Sequence, residues 1–335
     1  MRILTAFGLH WHSALAQRSA PILCADMPVD HYENFPVASF LLPPALRGPI
    51  AAIYHFARSA DDFADEGDIP AAQRLAQLAA YRVELDAIAN DLPTTDPIFL
   101  ALGPVIREYQ LPLQLFHDLL DAFSQDVTKH RYADFVELTD YCARSANPIG
   151  RLLLKLFGEN GAEQLKQSDA ICTALQLINH WQDVGIDAVK GDSGRIYLPQ
   201  DELKRFGVSD QAIQQRVTST NWGSATPSPS VPLPQGEREG SSAFGVQLNG
   251  RVTSTNWRAL MKFQVDRARN LMLSGAPLGW SLPGRFGMEI RAIVAGGLCI
   301  ANKIEACDYD VFNHRPVLKA WDWPAILWAT LVRPL

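Results

Sequence analysis

Apolar residues recur at every third or fourth position along most of this chain, and series that alternate apolar with polar residues are nearly absent. The helical spacing marks residues 47–65, 70–91, 97–109, 112–127, 133–157, 161–190, 201–215, 258–273 and 284–306, often with Pro or Gly between them. A succession of helices without strands predicts an all-α domain, a helical bundle around a central core.

Two of these helices carry acidic residues where the pattern calls for apolar ones. In residues 50–65, Ile50, Ile53, Tyr54, Ala57, Ala60 and Ala64 gather on one face. Asp61 lands roughly 50° from the centre of that face and Asp65 at its rim, at about 90°, while Asp62 points away. Arg58 precedes Asp61 by about one turn. In residues 171–189, Ile171, Ala174, Leu175, Leu177, Ile178, Trp181, Val184, Ile186 and Val189 surround most of the helix, the pattern of a buried one. Gln176, Asn179, Asp183 and Asp187 nevertheless fall within ~80° of one another, a single polar line. A lone D-x-x-x-D is ordinarily a solvated helix edge, and a buried polar line is explicable as structural hydrogen bonding. Together they present two carboxylate pairs that repel and are desolvated unless a cation joins them. Mg²⁺ suits all-oxygen ligands, keeps waters, and bridges carboxylates to a substrate phosphate.

Arg216-Val217-Thr218-Ser219-Thr220-Asn221-Trp222 returns verbatim as Arg251-Val252-Thr253-Ser254-Thr255-Asn256-Trp257. Between the copies, residues 223–250 hold four Pro, five Gly and five Ser, half of that stretch. One extra copy with no apolar face to stack is not a solenoid; it reads as an insertion that duplicated its target. Residues 223–257 are therefore expected to be a loop that the fold tolerates, since doubling a loop costs only about 0.6 kcal/mol.

Composition narrows the classes. With 47% hydrophobic and 20% charged residues the chain has ample material for a core, and its net charge of −6 argues against a nucleic-acid partner. The five cysteines are scattered and form no C-x-x-C pair, which points to a reducing, cytoplasmic setting rather than a zinc site or a disulfide framework. Residues 1–26 have a small-residue region, but His10, Trp11 and His12 interrupt any apolar leader, so they are expected to be a poorly ordered extension with Met27 a plausible alternative start. Residues 27–315 then form one domain. The tail, 316–335, carries Trp321, Trp323 and Trp328 in an apolar run too short to span a bilayer. Two roles stay open for it: docking on a membrane surface, which would make the protein peripheral on the inner face, or packing on the bundle.

The chain resembles the squalene and phytoene synthase family of trans-isoprenyl diphosphate synthases over residues 28–215 and again from about 258 to 315. Asp61 and Asp65 match the first aspartate motif, and Asp183 and Asp187 the second. Arg58 matches the arginine that contacts the diphosphate, Tyr141 a tyrosine near the reacting allylic cation, and Gln176 and Asn179 the polar residues before the second motif. Arg195 and Tyr197, in Gly194-Arg195-Ile196-Tyr197-Leu198-Pro199, match the segment closing over the diphosphate. Three stretches are similar to the bacterial hydroxysqualene synthases of hopanoid biosynthesis: Asp30 to Ser39, Tyr141-Cys142-Ala143-Arg144-Ser145-Ala146-Asn147-Pro148, and Asn179-His180-Trp181-Gln182-Asp183. His180 departs from the aromatic residue expected there.

The resemblance implies an isoprenoid-synthase-type bundle around a cavity, with Mg²⁺ on the four aspartates and presqualene diphosphate as the substrate. Hydroxysqualene and diphosphate would be the products, and the enzymes acting before and after it in the pathway its functional partners. Tyr54 joins the substrate-binding candidates as an aromatic ring on the Asp61 face, and Asn147, with His31 and Asn34, as a candidate to position the quenching water. Presqualene diphosphate, squalene or phytoene synthesis remain alternatives within the family, and a non-catalytic family member acting as an assembly or scaffold protein is an alternative of another class. No strand-borne G-x-G-x-x-G is present, so a dinucleotide fold is not expected.

Overall fold

The computed structural model describes residues 42–65, 69–191, 193–219 and 254–332. The expected extension at 1–26, the 30–39 stretch with His31 and Asn34, and the low-complexity residues 223–250 lie outside the described residues.

The first layer is formed by α1 (Pro44–Asp65), α2 (Ala71–Ala89), α3 (Pro97–Tyr109) and α4 (Leu113–Thr128). Next come α5 (Phe135–Ser145), α6 (Asn147–Leu156) and the 26-residue α7 (Ala162–Asp187). Two short helices, α8 (Gln200–Arg205) and α9 (Asp210–Ser219), lead to α10 (Ser254–Gly275), α11 (Leu278–Ser281), α12 (Gly284–Ala306) and α13 (Trp323–Leu331). The described residues contain no strand; Arg131 and Ile196 make an isolated parallel bridge.

Helix ends follow local chemistry. Asp96 caps α3, accepting from the Ile98 amide at 2.8 Å, with Pro97 at the first helical position. Residues 133–157, expected as one helix, divide because Pro148 has no amide hydrogen to continue the ladder; α5 ends at Ser145 and α6 starts at Asn147. Residues 201–215 divide at Gly207, whose φ of +66° closes α8 with bonds from Val208 N to Leu203 O and from Gly207 N to Lys204 O.

The all-round apolar helix, α7, sits at the centre, with α5, α6, α10, α11 and α12 packed on it. Its core includes Leu177, Trp181, Trp257, Leu260 and Ile304. A second core, with Ile53, Phe56, Leu78, Phe99 and Phe116, joins α1 to α4, and α6 spans both. The predicted insertion boundary at 257 runs into α10: Trp257 is buried, donates from Nε1 to Tyr309 O at 2.8 Å, and packs against Phe312. From the first copy, Val217 is buried and Arg216 lies over the Phe312 ring at 4.9 Å. The beginning of one copy and the end of the other therefore dock on the same 309–312 turn.

The tail packs as well as projects. Ile326 and Thr330 of α13 are buried beside α12, while Trp321, Leu327, Trp328 and Leu331 stand exposed. No described helix is long and apolar enough to cross a membrane.

Candidate functional site

Two helices bring their carboxyl ends to one place. Asp61 and Asp65 occupy the last turns of α1, and Asp183 and Asp187 those of α7, with no basic residue in either last turn. The helix dipole puts partial negative charge there, so each carboxylate is disfavoured by roughly a further 0.3–1 kcal/mol. Asp61 and Asp183 are buried, and Asp187 nearly so. The arrangement requires positive charge.

The chain supplies some of it from connecting segments. Asp65 pairs with Lys190 Nζ and Arg195 Nη1, both at 2.5 Å, and Arg195 Nη2 donates to Ala64 O at 3.4 Å. The Arg195 amide donates to Asp187 O at 2.6 Å, so this residue ties the end of α1 to the end of α7. From the other side, Arg315 Nε meets Asp183 Oδ1 at 2.5 Å and Nη2 meets Oδ2 at 3.3 Å. Gln182 donates to the Pro316 carbonyl and holds that segment beside α7. Asp65, Asn179, His180, Asp183, Asp187, Arg195 and Tyr197 line one small pocket.

The electrostatics divide the first pair. Burial pushes the Asp61 carboxyl up to about 6, with the Asp65 charge adding to it. Burial also opposes ionisation of Asp65, yet it lies well below the usual range, with Arg195 and Lys190 among the cations that hold it there.

The loop bearing Arg195 depends on Gly194. Its φ is +63°, and a Cβ there would lie 2.0 Å from Ala188 O. Arg131 braces the same loop, donating to Gly194 O at 2.6 Å and Ser193 O at 3.1 Å while pairing with Asp210 of α9. Gly194→Ala should misplace Arg195 and lower turnover about 10²-fold while the helical circular dichroism is kept; steady-state kinetics check this.

Beneath the pocket lies a buried aromatic cluster. Tyr141 donates to Asp126 Oδ2 at 2.6 Å and Tyr197 to Oδ1 at 3.2 Å. Tyr132 stacks on Tyr197, and His180 stacks on its ring at 3.7 Å. Burial raises the Asp126 carboxyl, and burial together with Asp126 holds both tyrosines well above their usual range, so the hydroxyls stay neutral.

The remaining candidates are placed differently. Arg58 pairs with Asp62 at 2.6 Å, one turn along α1. Tyr54 is buried in the α1 core, and Gln176 is buried on α7 one turn before His180. The Asn147 side-chain oxygen Oδ1 accepts from Thr173 Oγ1 at 2.9 Å and so ties α6 to α7. Sequence reasoning missed Asp126, although it falls on the apolar face of α4 three residues after Phe123. It also missed Lys190, at the end of the helix expected over 161–190 but just past the end of α7, and Arg315, which lies in a segment without periodicity.

Among the described residues no three His, Cys, Asp or Glu side chains form a ready metal cluster. The donor chemistry still fits Mg²⁺, which takes one or two carboxylates at a time and completes its shell with water and phosphate. Exchange of Lys190, Arg195 and Arg315 from the aspartates would free them for that purpose.

The family model described as squalene/phytoene synthase matches residues 29–225 and 231–322. A hydroxysqualene synthase of Zymomonas mobilis is 40% identical over 179 residues, 53% of this chain and 58% of that protein. A 15-cis-phytoene synthase of a Synechocystis species is 30% identical over 88% of this chain and 79% of its own. A crystal structure of the squalene synthase HpnC from Alicyclobacillus acidocaldarius superimposes with a TM-score of 0.67 at 34% identity, covering 83% of this chain and 90% of that one. The matched stretch spans about three fifths of the length of the curated hydroxysqualene synthases.

Proposed function

The chain belongs to the squalene/phytoene synthase family, and from that premise we propose that it converts presqualene diphosphate and water to hydroxysqualene and diphosphate. The observation that carries the diphosphate chemistry is the meeting of two carboxylate-bearing helix ends with Arg195 and Arg315. The product assignment is supported by the stretches similar to hydroxysqualene synthases and by 40% identity with one of them. Phytoene synthases match at 27–30% identity over nearly the whole chain, so product identity is the test.

Asp61, Asp65, Asp183 and Asp187 would hold Mg²⁺, which when bound neutralises charge developing on the diphosphate as its C–O bond breaks. Arg195 and Arg315, displaced from their aspartates, donate charge-assisted hydrogen bonds to the same group, and Arg58 adds to the positive field. Asp126 holds the Tyr141 and Tyr197 hydroxyls, which fixes the rings so that their faces can stabilise a passing carbocation. Burial of this cluster excludes bulk water from the cation.

Presqualene diphosphate incubated with Mg²⁺ and no NADPH should yield the C30 alcohol by mass spectrometry. A requirement for NADPH, or turnover of farnesyl diphosphate alone, overturns this reading in favour of squalene, presqualene diphosphate or phytoene synthesis.

A pH dependence follows from Asp61. Its folded value near 6 lies above the ordinary carboxylate value, so the group is protonated below about pH 6 and must lose that proton to bind a cation. The apparent Mg²⁺ dissociation constant should rise about tenfold per pH unit below 6 and level off above it, measured by activity titration at fixed substrate.

The exposed face of α13 supports peripheral attachment to a membrane, because both lipids in the reaction are poorly soluble. Trp321→Ser together with Trp328→Ser should reduce flotation with anionic liposomes several-fold while the melting temperature stays within about 3 °C. Equal flotation of both proteins would reject the attachment.

A further inference from the structure

Two fully buried polar side chains, Ser145 on α5 and Gln176 on α7, have no hydrogen-bond partner among the described residues. Neither the Ser145 hydroxyl nor either carboxamide atom of Gln176 is bonded. Buried polar groups are nearly always bonded, to protein or to ordered water, because a bare one forfeits its hydration. The register of the helices sets the two residues opposite each other. Tyr141 of α5 lies beside His180 of α7, with ring centres 6.0 Å apart, and Asn147 at the start of α6 accepts from Thr173 at 2.9 Å. A Cβ on Gly150 would meet the Ser168 and Cys172 side chains, which extends the same antiparallel order. Ser145 stands one turn after Tyr141 on the buried face of α5, between the two pinned positions. Gln176 stands between their partners, on the α7 face that carries Thr173 and His180.

Resting on the alcohol-forming reaction proposed above, we infer that Ser145 orients the water that captures the carbocation, with the Gln176 carboxamide as that water's second partner. Hydroxyl and carboxamide oxygens both accept hydrogen bonds, so a water donating one O–H to each keeps a lone pair for the cation. An ordered buried water takes about two to four polar partners, and these side chains offer them where bulk water does not reach. The water oxygen gives that lone pair to the cationic carbon and forms the new C–O bond. The oxonium so formed yields one proton to the diphosphate released in the same turnover, so atoms and charge balance without a further reactant. Ser145 follows Tyr141, whose ring faces the cation in the proposed reaction, by one turn. It also falls within the Tyr141–Pro148 stretch that is similar to the hydroxysqualene synthases, so a serine here agrees with the reaction adopted. Gln176 precedes Asp183 by about two turns of α7, which puts ionisation at the aspartate end and capture deeper in the core.

The test reads hydroxysqualene as a fraction of all C30 products, a ratio that depends neither on total rate nor on the amount of folded protein. Ser145→Ala removes the hydroxyl and little else. The fraction should fall about tenfold, the effect of one lost hydrogen bond, with the balance appearing as hydrocarbon formed by proton loss or as isomeric alcohols. Ser145→Thr restores a hydroxyl and should recover most of the fraction. A serine that only packs would change total turnover and leave the ratio alone, so a fall under about fivefold in Ser145→Ala overturns the assignment. A Ser145→Thr enzyme that turns over with the Ser145→Ala ratio overturns it as well. If neither variant turns over, Gln176→Leu is read by the criterion set for Ser145→Ala, and loss of turnover in all three also overturns it, because capture follows ionisation. A wild-type enzyme that forms no hydroxysqualene would instead remove the parent reading before any variant is compared.

Discussion

Asp61→Asn is expected to abolish turnover, lowering kcat on the order of 10³-fold, while making the metal-free fold more stable. The loss corresponds to about 4 kcal/mol of transition-state stabilisation, within the range that charge neutralisation of a leaving group supplies. The gain comes from the opposite side of the same property. A carboxyl whose value is raised to about 6 in the fold binds its proton more tightly there than in the unfolded chain. The sign follows directly: this group costs stability as pH rises from about 4 through 6, and at neutral pH the cost is on the order of 3 kcal/mol. An amide of the same shape removes it. Thermal melting without Mg²⁺ should thus rise for Asp61→Asn as activity disappears. Asp183→Asn should lose comparable activity without that gain, because it leaves the Arg315 guanidinium without its bidentate partner. Full turnover in either variant would remove that aspartate from the proposed metal site.

The second large effect concerns the repeated heptad. Trp257→Ala should destabilise the chain by about 3–5 kcal/mol, the cost of emptying a fully buried indole site, and lower the melting temperature by about 10 °C. Excision of residues 223–257 removes the same tryptophan, yet should leave a folded and active protein. The reason lies in the repeat: excision joins Trp222 directly to Arg258, so the surviving copy reads Arg216 to Trp222 and carries its own indole into the vacated position. Trp222→Ala placed in the shortened chain should then cost what Trp257→Ala costs in the long one. Melting curves of the four proteins, with product assays on the shortened chain, check the pair of claims. An insoluble shortened chain would contradict them.

What could be read from the residues follows from what periodicity encodes. Helices α3 and α12 were bounded to the residue, 97–109 and 284–306, because proline stands at the start of one and just before the other and the apolar stripes are uninterrupted. The breaks at Ala146 and Gly207 were missed because apolar spacing carries on through them, while one missing amide hydrogen and one positive φ decide the backbone. The aspartate pairs were legible since a carboxylate on an apolar stripe violates the pattern that makes the stripe. Arg58 pairs with Asp62 along α1, a choice of rotamer that spacing does not encode. The bond between Asn147 and Thr173 joins residues 26 positions apart across a helix junction, a contact that spacing does not encode. Lys190 lies three residues past the end of α7, where helical spacing continues but the helix does not, and Arg315 lies in an irregular segment; both positions are defined only by the fold that brings them round.

The bracing of the 193–194 loop has a mechanical corollary. Arg131 grips that loop with one part of its guanidinium and α9 with another, through Asp210. A displacement of α9 would therefore reach, through one side chain, the loop that carries Arg195. Distance in sequence from the aspartates thus does not insulate them from a shift of α9.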